Sequence, residues 1–235
     1  MLVQVLPAHV GTDAKADQWR AMLSQLKSDN IIQLECVDHK TYTDVVLVVT
    51  EYCSHTLAHD LELGRMQQDI IARSLLPGLV NGLDDMRRGP IIHLNINPHT
   101  IFRCAGTTRE EPTYKLADFR FARQYDEQEG WGHYFLDVDE ENPYLAPEVK
   151  PGQPRSEAQD LYSVGTVLRT ALTGSPHGDF YAQERKPYKS LVQLIENLQK
   201  PIAERIGPNL LPVIIQVGQV KQEYEDRTRL FSRFH

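Results

Sequence analysis

The chain has 235 residues, 41% hydrophobic and 24% charged, which suits one large domain or two small packed lobes around a sizeable core. A formal net charge of −7 argues against a nucleic-acid backbone or an anionic membrane surface as partner. Cys36, Cys53 and Cys104 stand at unrelated spacings that form neither a disulfide framework nor a zinc motif, so a reducing, cytoplasmic compartment is expected. The start, M-L-V-Q-V-L-P, lacks the basic flank and cleavage site of a signal peptide, and the aliphatic run Val45 to Val49 is far too short for a membrane span.

In chain order, Leu2, Val3, Val5 and Leu6 predict a short buried strand ended by Pro7. Trp19, Met22, Leu23 and Leu26 fall at i, i+3, i+4 and i+7, the stripe of an amphipathic helix. Ile32, Leu34 and Cys36 alternate with Gln33 and Glu35, which predicts a half-buried strand with those three on one face. The β-branched run at Val45 reads as a strand covered on both faces. After His55 the texture turns helical. Ile71, Leu75, Leu79 and Leu83 recur at four-residue steps in a helix running to about Arg88, and Pro77 inside it removes a backbone hydrogen bond and predicts a kink.

Two short strands follow, near Thr100 to Phe102 and Tyr114 to Ala117. Arg123 to Asn142, acidic and without periodicity, reads as a loop. Leu161, Val164, Val167, Leu168, Ala171 and Leu172 predict an apolar helix. The remainder, punctuated by Pro187, Pro201, Pro208 and Pro212, reads as three or four shorter helices. A β-rich front and a helical back make an α+β, two-lobed pattern.

Four strings sharpen that pattern. They are H-L-N-I-N-P-H-T-I-F (His93 to Phe102), K-L-A-D-F-R (Lys115 to Arg120), Y-L-A-P-E-V (Tyr144 to Val149) and D-L-Y-S-V-G (Asp160 to Gly165). In this order and at these gaps they resemble the catalytic loop, the D-F-G turn, the A-P-E motif and the central helix of the eukaryotic protein kinase family. Val48 to Cys53 resembles the hinge between lobes, and Ser28 to Leu34 the turn after the regulatory helix. The resemblance covers nearly the whole chain. It implies a protein kinase-like bilobal fold, with residues 1–53 as the small lobe and 54–235 as the mainly helical large lobe. The chain begins at the family's third strand, so the two strands that bear the Gly-rich loop are expected to be absent.

The resemblance also implies a catalytically degenerate member, a pseudokinase. Phosphoryl transfer in this family needs a cover and a lysine over the phosphates, a glutamate to hold that lysine, metal ligands, and a base for the attacking hydroxyl. The lysine position falls on Gln4, and the glutamate position falls near Trp19, where neither Gln18 nor Arg20 would serve. The base becomes Asn95, an amide that cannot accept a proton at neutral pH, and the loop lysine becomes Asn97. The metal-binding asparagine becomes Thr100, beside His99. Only Asp118 survives of the catalytic set. It is expected to bond backbone amides around its turn, because one carboxylate without phosphates makes a poor magnesium site. Arg120 replaces the turn glycine, and Leu94 the arginine that reads a phosphorylated activation loop. No cofactor or metal is expected.

What the resemblance implies to be kept is architectural: Glu148 paired with an arginine late in the large lobe, assigned to Arg227, and Asp160 bracing the catalytic-loop backbone. His93 is expected to be a core histidine, and His55 and His59 a solvated pair rather than metal ligands. Trp131, Tyr134 and Phe135, inside the acidic loop, are candidates for a docking surface, with an ordinary solvated face as the equal alternative. Leu2, Val3 and Val5 would lie on an open sheet edge, which a protein partner or a second copy is expected to cover. The function expected is a non-catalytic scaffold or structural component of a larger assembly. The alternative is a nucleotide-binding relative with weak or atypical phosphotransfer. The hinge E-Y-C is similar to that of NIMA-related kinases, which implies association with the cytoskeleton or cilium.

Overall fold

A computed structural model describes residues 2–7, 13–38, 45–64, 66–105, 112–128, 130, 132, 141–182, 186–205 and 210–232. The backbone opens with β1 (Leu2–Pro7), followed by helix α1 (Asp13–Gln25) and strands β2 (Leu34–Asp38) and β3 (Val45–Thr50). These strands form one antiparallel sheet in the order β1-β3-β2, with Leu2 opposite Thr50 and Pro7 opposite Val45. Helix α1 buries Met22 and Leu23, and Leu26 just beyond its end is buried with them, as the apolar stripe requires. Its Arg20 donates to the carbonyl of Val37.

The expected face of β2 needs one correction. The ladder with β3 slips between Leu34 and Cys36, so Val37 is buried and Cys36 is exposed. A bulge adds one residue to one strand and reverses the faces that follow.

The chain continues with β4 (His55–Thr56) and α2 (Leu57–Glu62), whose first turn is capped by the Thr56 hydroxyl accepting from the His59 amide. A short α3 (Gln68–Ile70) leads into a π-turn (Ile71–Leu75) and then α4 (Leu76–Arg88). The kink expected at Pro77 takes this form. Proline has no N–H and clashes with the carbonyl four residues back, and the wider turn lets it start a fresh α-helix. Ile71, Leu75, Leu79 and Leu83 all turn inward.

Strands β5 (Ile91–Ile92), β6 (Ile101–Cys104), β7 (Thr113–Leu116) and β8 (Arg123–Gln124) form two small sheets, β4-β6-β7 and β5-β8. The described start of the expected loop at Arg123 thus carries a short strand. Helix α5 (Glu157–Thr173) runs through the core, with Val164, Val167, Leu168 and Ala171 fully buried. It ends on Gly174, whose φ of +84° suits glycine. Among the described residues two helices follow rather than three or four: α6 (Lys189–Leu198) and a 22-residue α7 (Leu211–Ser232). Pro212 does not break α7 because it lies in the first turn, where its missing N–H has no partner to lose.

Cys53 and Cys104 are joined by a disulfide across 51 residues, with Cα atoms 4.3 Å apart, contrary to the expectation of unpaired thiols. The antiparallel pairing of β4 with β6, His55 opposite Arg103, brings them together. Ser54, next to Cys53, donates through both its amide and its hydroxyl to the carbonyl of Arg103, next to Cys104. Spacing in sequence carries no trace of that contact. No helix among the described residues is long and apolar enough to cross a membrane.

Candidate functional site

Residues 93–100 connect β5 to β6 and are held from below by α5. One carboxylate oxygen of Asp160 accepts from the His93 amide at 2.7 Å and the other from the Leu94 amide at 2.8 Å. Burial pushes the Asp160 carboxyl up to about 6, against the pull of those two amides. Leu94 is thereby kept at φ +63°, a left-handed conformation that costs a branched residue about 1–2 kcal/mol. His93 is fully buried. Its Nδ1 accepts from the Asn95 amide at 3.3 Å, so Nε2 carries the proton and donates to the Ala117 carbonyl at 2.9 Å. Burial lowers His93 to about 4, outweighing the nearby charge of Asp118, so the ring is neutral.

Above this brace, Asn95, Asn97 and Thr100 spend their polar groups on one another. The Asn97 side-chain nitrogen donates to the Asn95 carbonyl at 3.0 Å and to the Asn95 side-chain oxygen at 3.2 Å. The Asn97 side-chain oxygen accepts from the His99 amide at 2.9 Å. Thr100, 3% exposed, places its hydroxyl 2.8 Å from the Asn95 carbonyl and accepts from the Asn97 amide at 3.1 Å. These three positions carry no anion and no free base.

Asp118 corrects another expectation. Its carboxylate bonds not turn amides but the guanidinium of Arg120, fork to fork, with Nε–Oδ1 and Nη2–Oδ2 both 2.5 Å. The left-handed backbone, φ +63°, falls on Asp118 itself. Position 120 lies in the following 3₁₀ turn (Phe119–Phe121) and so tolerates a side chain. That turn folds Arg120 back, and a charged fork is stronger than neutral amide bonds. The guanidinium lies 5.9 Å from the Phe121 ring centre. Its bond to Asp118 holds Arg120 protonated beyond the usual guanidinium range. The magnesium ion that the fold implies therefore does not fit these residues. One candidate ligand is ion-paired and the other is a buried hydroxyl already spent on the loop.

The brace expected between Glu148 and Arg227 is corrected in its partner. Glu148 is held by Arg205, at 2.5 and 3.1 Å. Arg205 also donates to the carbonyls of Ala158 and Lys200 and lies 5.0 Å from the Tyr162 ring centre. Arg227 stands one helical turn beyond Glu223 and pairs with it at 2.7 Å, donates to the carbonyls of Lys186 and Pro187, and covers Tyr188. The turn at 201–205, not α7, crosses the first turn of α5.

The hinge has an anchor that sequence reasoning missed. Lys115 on β7 bonds both carboxylate oxygens of Glu51, at 2.7 and 2.9 Å, and the Gln33 amide donates to the same group. A charged residue within the short strand T-Y-K-L was the available signal. His55 bonds Asp60, which also accepts from Tyr114 and Arg103. No group of three or more metal-ligating residues occurs among the described residues. Gln4 stands opposite Val48, and Leu2, Val3 and Val5 lie on the same strand, at the end of its sheet. Trp131, Tyr134 and Phe135 lie outside the described residues.

Comparison with known proteins agrees with this geometry. Residues 10–224 match the protein kinase domain family. The chain is similar to serine/threonine-protein kinase unc-51 of Caenorhabditis elegans, 27% identical over 87% of this chain and 24% of the relative. It is also similar to two mouse proteins. The inhibitor of nuclear factor kappa-B kinase subunit epsilon is 30% identical over 66% of this chain and 22% of the relative. Inactive serine/threonine-protein kinase PLK5 is 30% identical over 69% of this chain and 26% of the relative. The chain thus spans about a quarter of the length of these relatives.

Proposed function

The chain belongs to the eukaryotic protein kinase family, and from that premise we propose that it is a pseudokinase: a kinase-like domain without phosphotransfer, used as an interaction or scaffold component of a larger assembly. One observation carries the reading. At the position of the catalytic base stands Asn95, whose side-chain oxygen accepts from Asn97 within a loop that closes its hydrogen bonds on itself. An amide cannot take the proton of an attacking hydroxyl, and the loop presents no neighbouring carboxylate to do so. The supports around it are kept. Asp160 holds the loop backbone, Arg205 holds Glu148, and Lys115 holds the hinge. A domain with these supports and no base keeps a shape rather than a reaction. The name of the inactive mouse relative is in keeping with this reading.

The test is a radiolabelled-ATP assay of the purified chain with magnesium and with manganese. No protein phosphorylation is expected, and Asn95→Asp alone stays inactive because cooperating catalytic groups do not act additively. Phosphorylation that disappears in Asp118→Asn overturns the proposal.

A further inference from the structure

We infer that Arg120 replaces the divalent cation of the fold: its guanidinium, forked onto Asp118, makes this site self-neutralised and closed to metal, so that a phosphate-bearing ligand placed there is not accompanied by magnesium. The inference rests on the pseudokinase reading and adds what kind of ligand the same site refuses.

Three observations converge. Both oxygens of Asp118 are engaged by one guanidinium at 2.5 Å each, in a side-by-side geometry that a lysine or an amide cannot reproduce. The pair is poorly hydrated on the carboxylate side, with Asp118 10% exposed, so its charge is cancelled locally rather than by solvent. Thr100, at the other ligand position of the fold, is buried and bonded to the loop carbonyls.

A carboxylate has further lone pairs, so coordination alone does not exclude a metal. Charge does. A dication bound to the outer lone pairs of Asp118 would sit only a few ångströms from a fixed positive charge in a poorly solvated setting. Magnesium, which gives up its water reluctantly and needs a carboxylate plus phosphate oxygens, has nothing to gain there. The guanidinium is held where it is by its two bonds to Asp118, with the Phe121 ring centre 5.9 Å away. Unlike magnesium, this cation is part of the chain and is always present.

The experiment follows manganese by the loss of its free electron-paramagnetic-resonance signal, using ADP as the phosphate-bearing probe. The unmodified chain should bind no manganese, with or without ADP, and its melting temperature should be the same in magnesium as in chelator. Arg120→Gly should gain ADP-dependent manganese uptake, at least tenfold above the detection limit of the assay, and Asp118→Asn added to it should abolish that gain. Arg120→Gln keeps much of the side chain's bulk without its charge, and decides the question if Arg120→Gly fails to fold. Manganese uptake by the unmodified chain that depends on Asp118 overturns the inference. So does a folded Arg120→Gln that takes up none. Either result leaves the phosphorylation assay, and hence the pseudokinase reading, to stand or fall separately.

Discussion

Arg205 and Glu148, 57 residues apart in the chain, meet as a two-bonded ion pair in which the arginine side chain has no exposed surface and the glutamate only 18%. Removing one partner of a buried pair strands the other, which costs about 3–5 kcal/mol. Arg205→Ala is therefore expected to lower the urea-unfolding free energy by that order. Arg227→Ala, at a pair 32% and 24% exposed, should cost only about 1 kcal/mol. Equal losses in the two variants would contradict the assignment of the brace to Arg205.

Gly78 lies inside α4, where alanine normally gains about 1 kcal/mol in helix propensity. Here a Cβ would stand 2.8 Å from the Tyr114 carbonyl and 3.3 Å from the Asn30 amide that bonds it. A backbone carbonyl in β7 cannot step back cheaply, and overpacking costs about 1–3 kcal/mol. Gly78→Ala should thus lower the melting temperature. A rise would show that α4 and β7 are farther apart than described.

His93 and Asp160 give the fold a pH dependence in which they oppose each other. Burial holds His93 at about 4, below its ordinary 6.5, so its contribution is present above 6.5 and is lost as pH falls toward 4. Burial holds Asp160 at about 6, above its ordinary 3.8, so its contribution is present below 3.8 and is lost as pH rises through 6. Between pH 6.5 and 4 the two partly cancel. His93→Phe removes one of them. Over that window the unmodified chain should lose stability relative to the variant by on the order of 3 kcal/mol. Parallel stability–pH curves for the two proteins would show that His93 is not held neutral by burial.

The outer side of β1 is the place where the scaffold reading can be tested directly. Strands that end a sheet can accept another strand, and lysine on such an edge discourages it. Val3→Lys with Val5→Lys should lower the mass of the native assembly measured by light scattering. A chain that is monomeric at high concentration, with the amides of Leu2 to Leu6 exchanging freely, would rule out strand addition there.

How far the sequence was legible depends on how local each cause is. The strings around His93, Asp118, Glu148 and Asp160 were readable because a buried turn dictates its own few residues. The apolar stripes at Ile71 and Val164 were readable because a helix repeats them. Other features were hidden, because they are set by packing between distant segments or by the exact geometry of a turn or bulge. Arg205 outcompetes Arg227 for Glu148 because the turn after α6, and not α7, crosses α5. Cys36 faces outward because a bulge shifts β2 by one residue. Asp118 meets Arg120 because the 3₁₀ turn bends back, a geometry that the letters D-F-R do not specify.

The bond between Cys53 and Cys104 changes what a cut chain would look like. It closes residues 53 to 104 into a covalent ring that contains β4, α2, the π-turn, α4 and the loop from His93 to Thr100. A protease that nicks the backbone once anywhere inside that ring opens it without dividing the molecule. On a denaturing gel such a product would migrate as a single full-mass species until a thiol was added, and only then separate into two pieces.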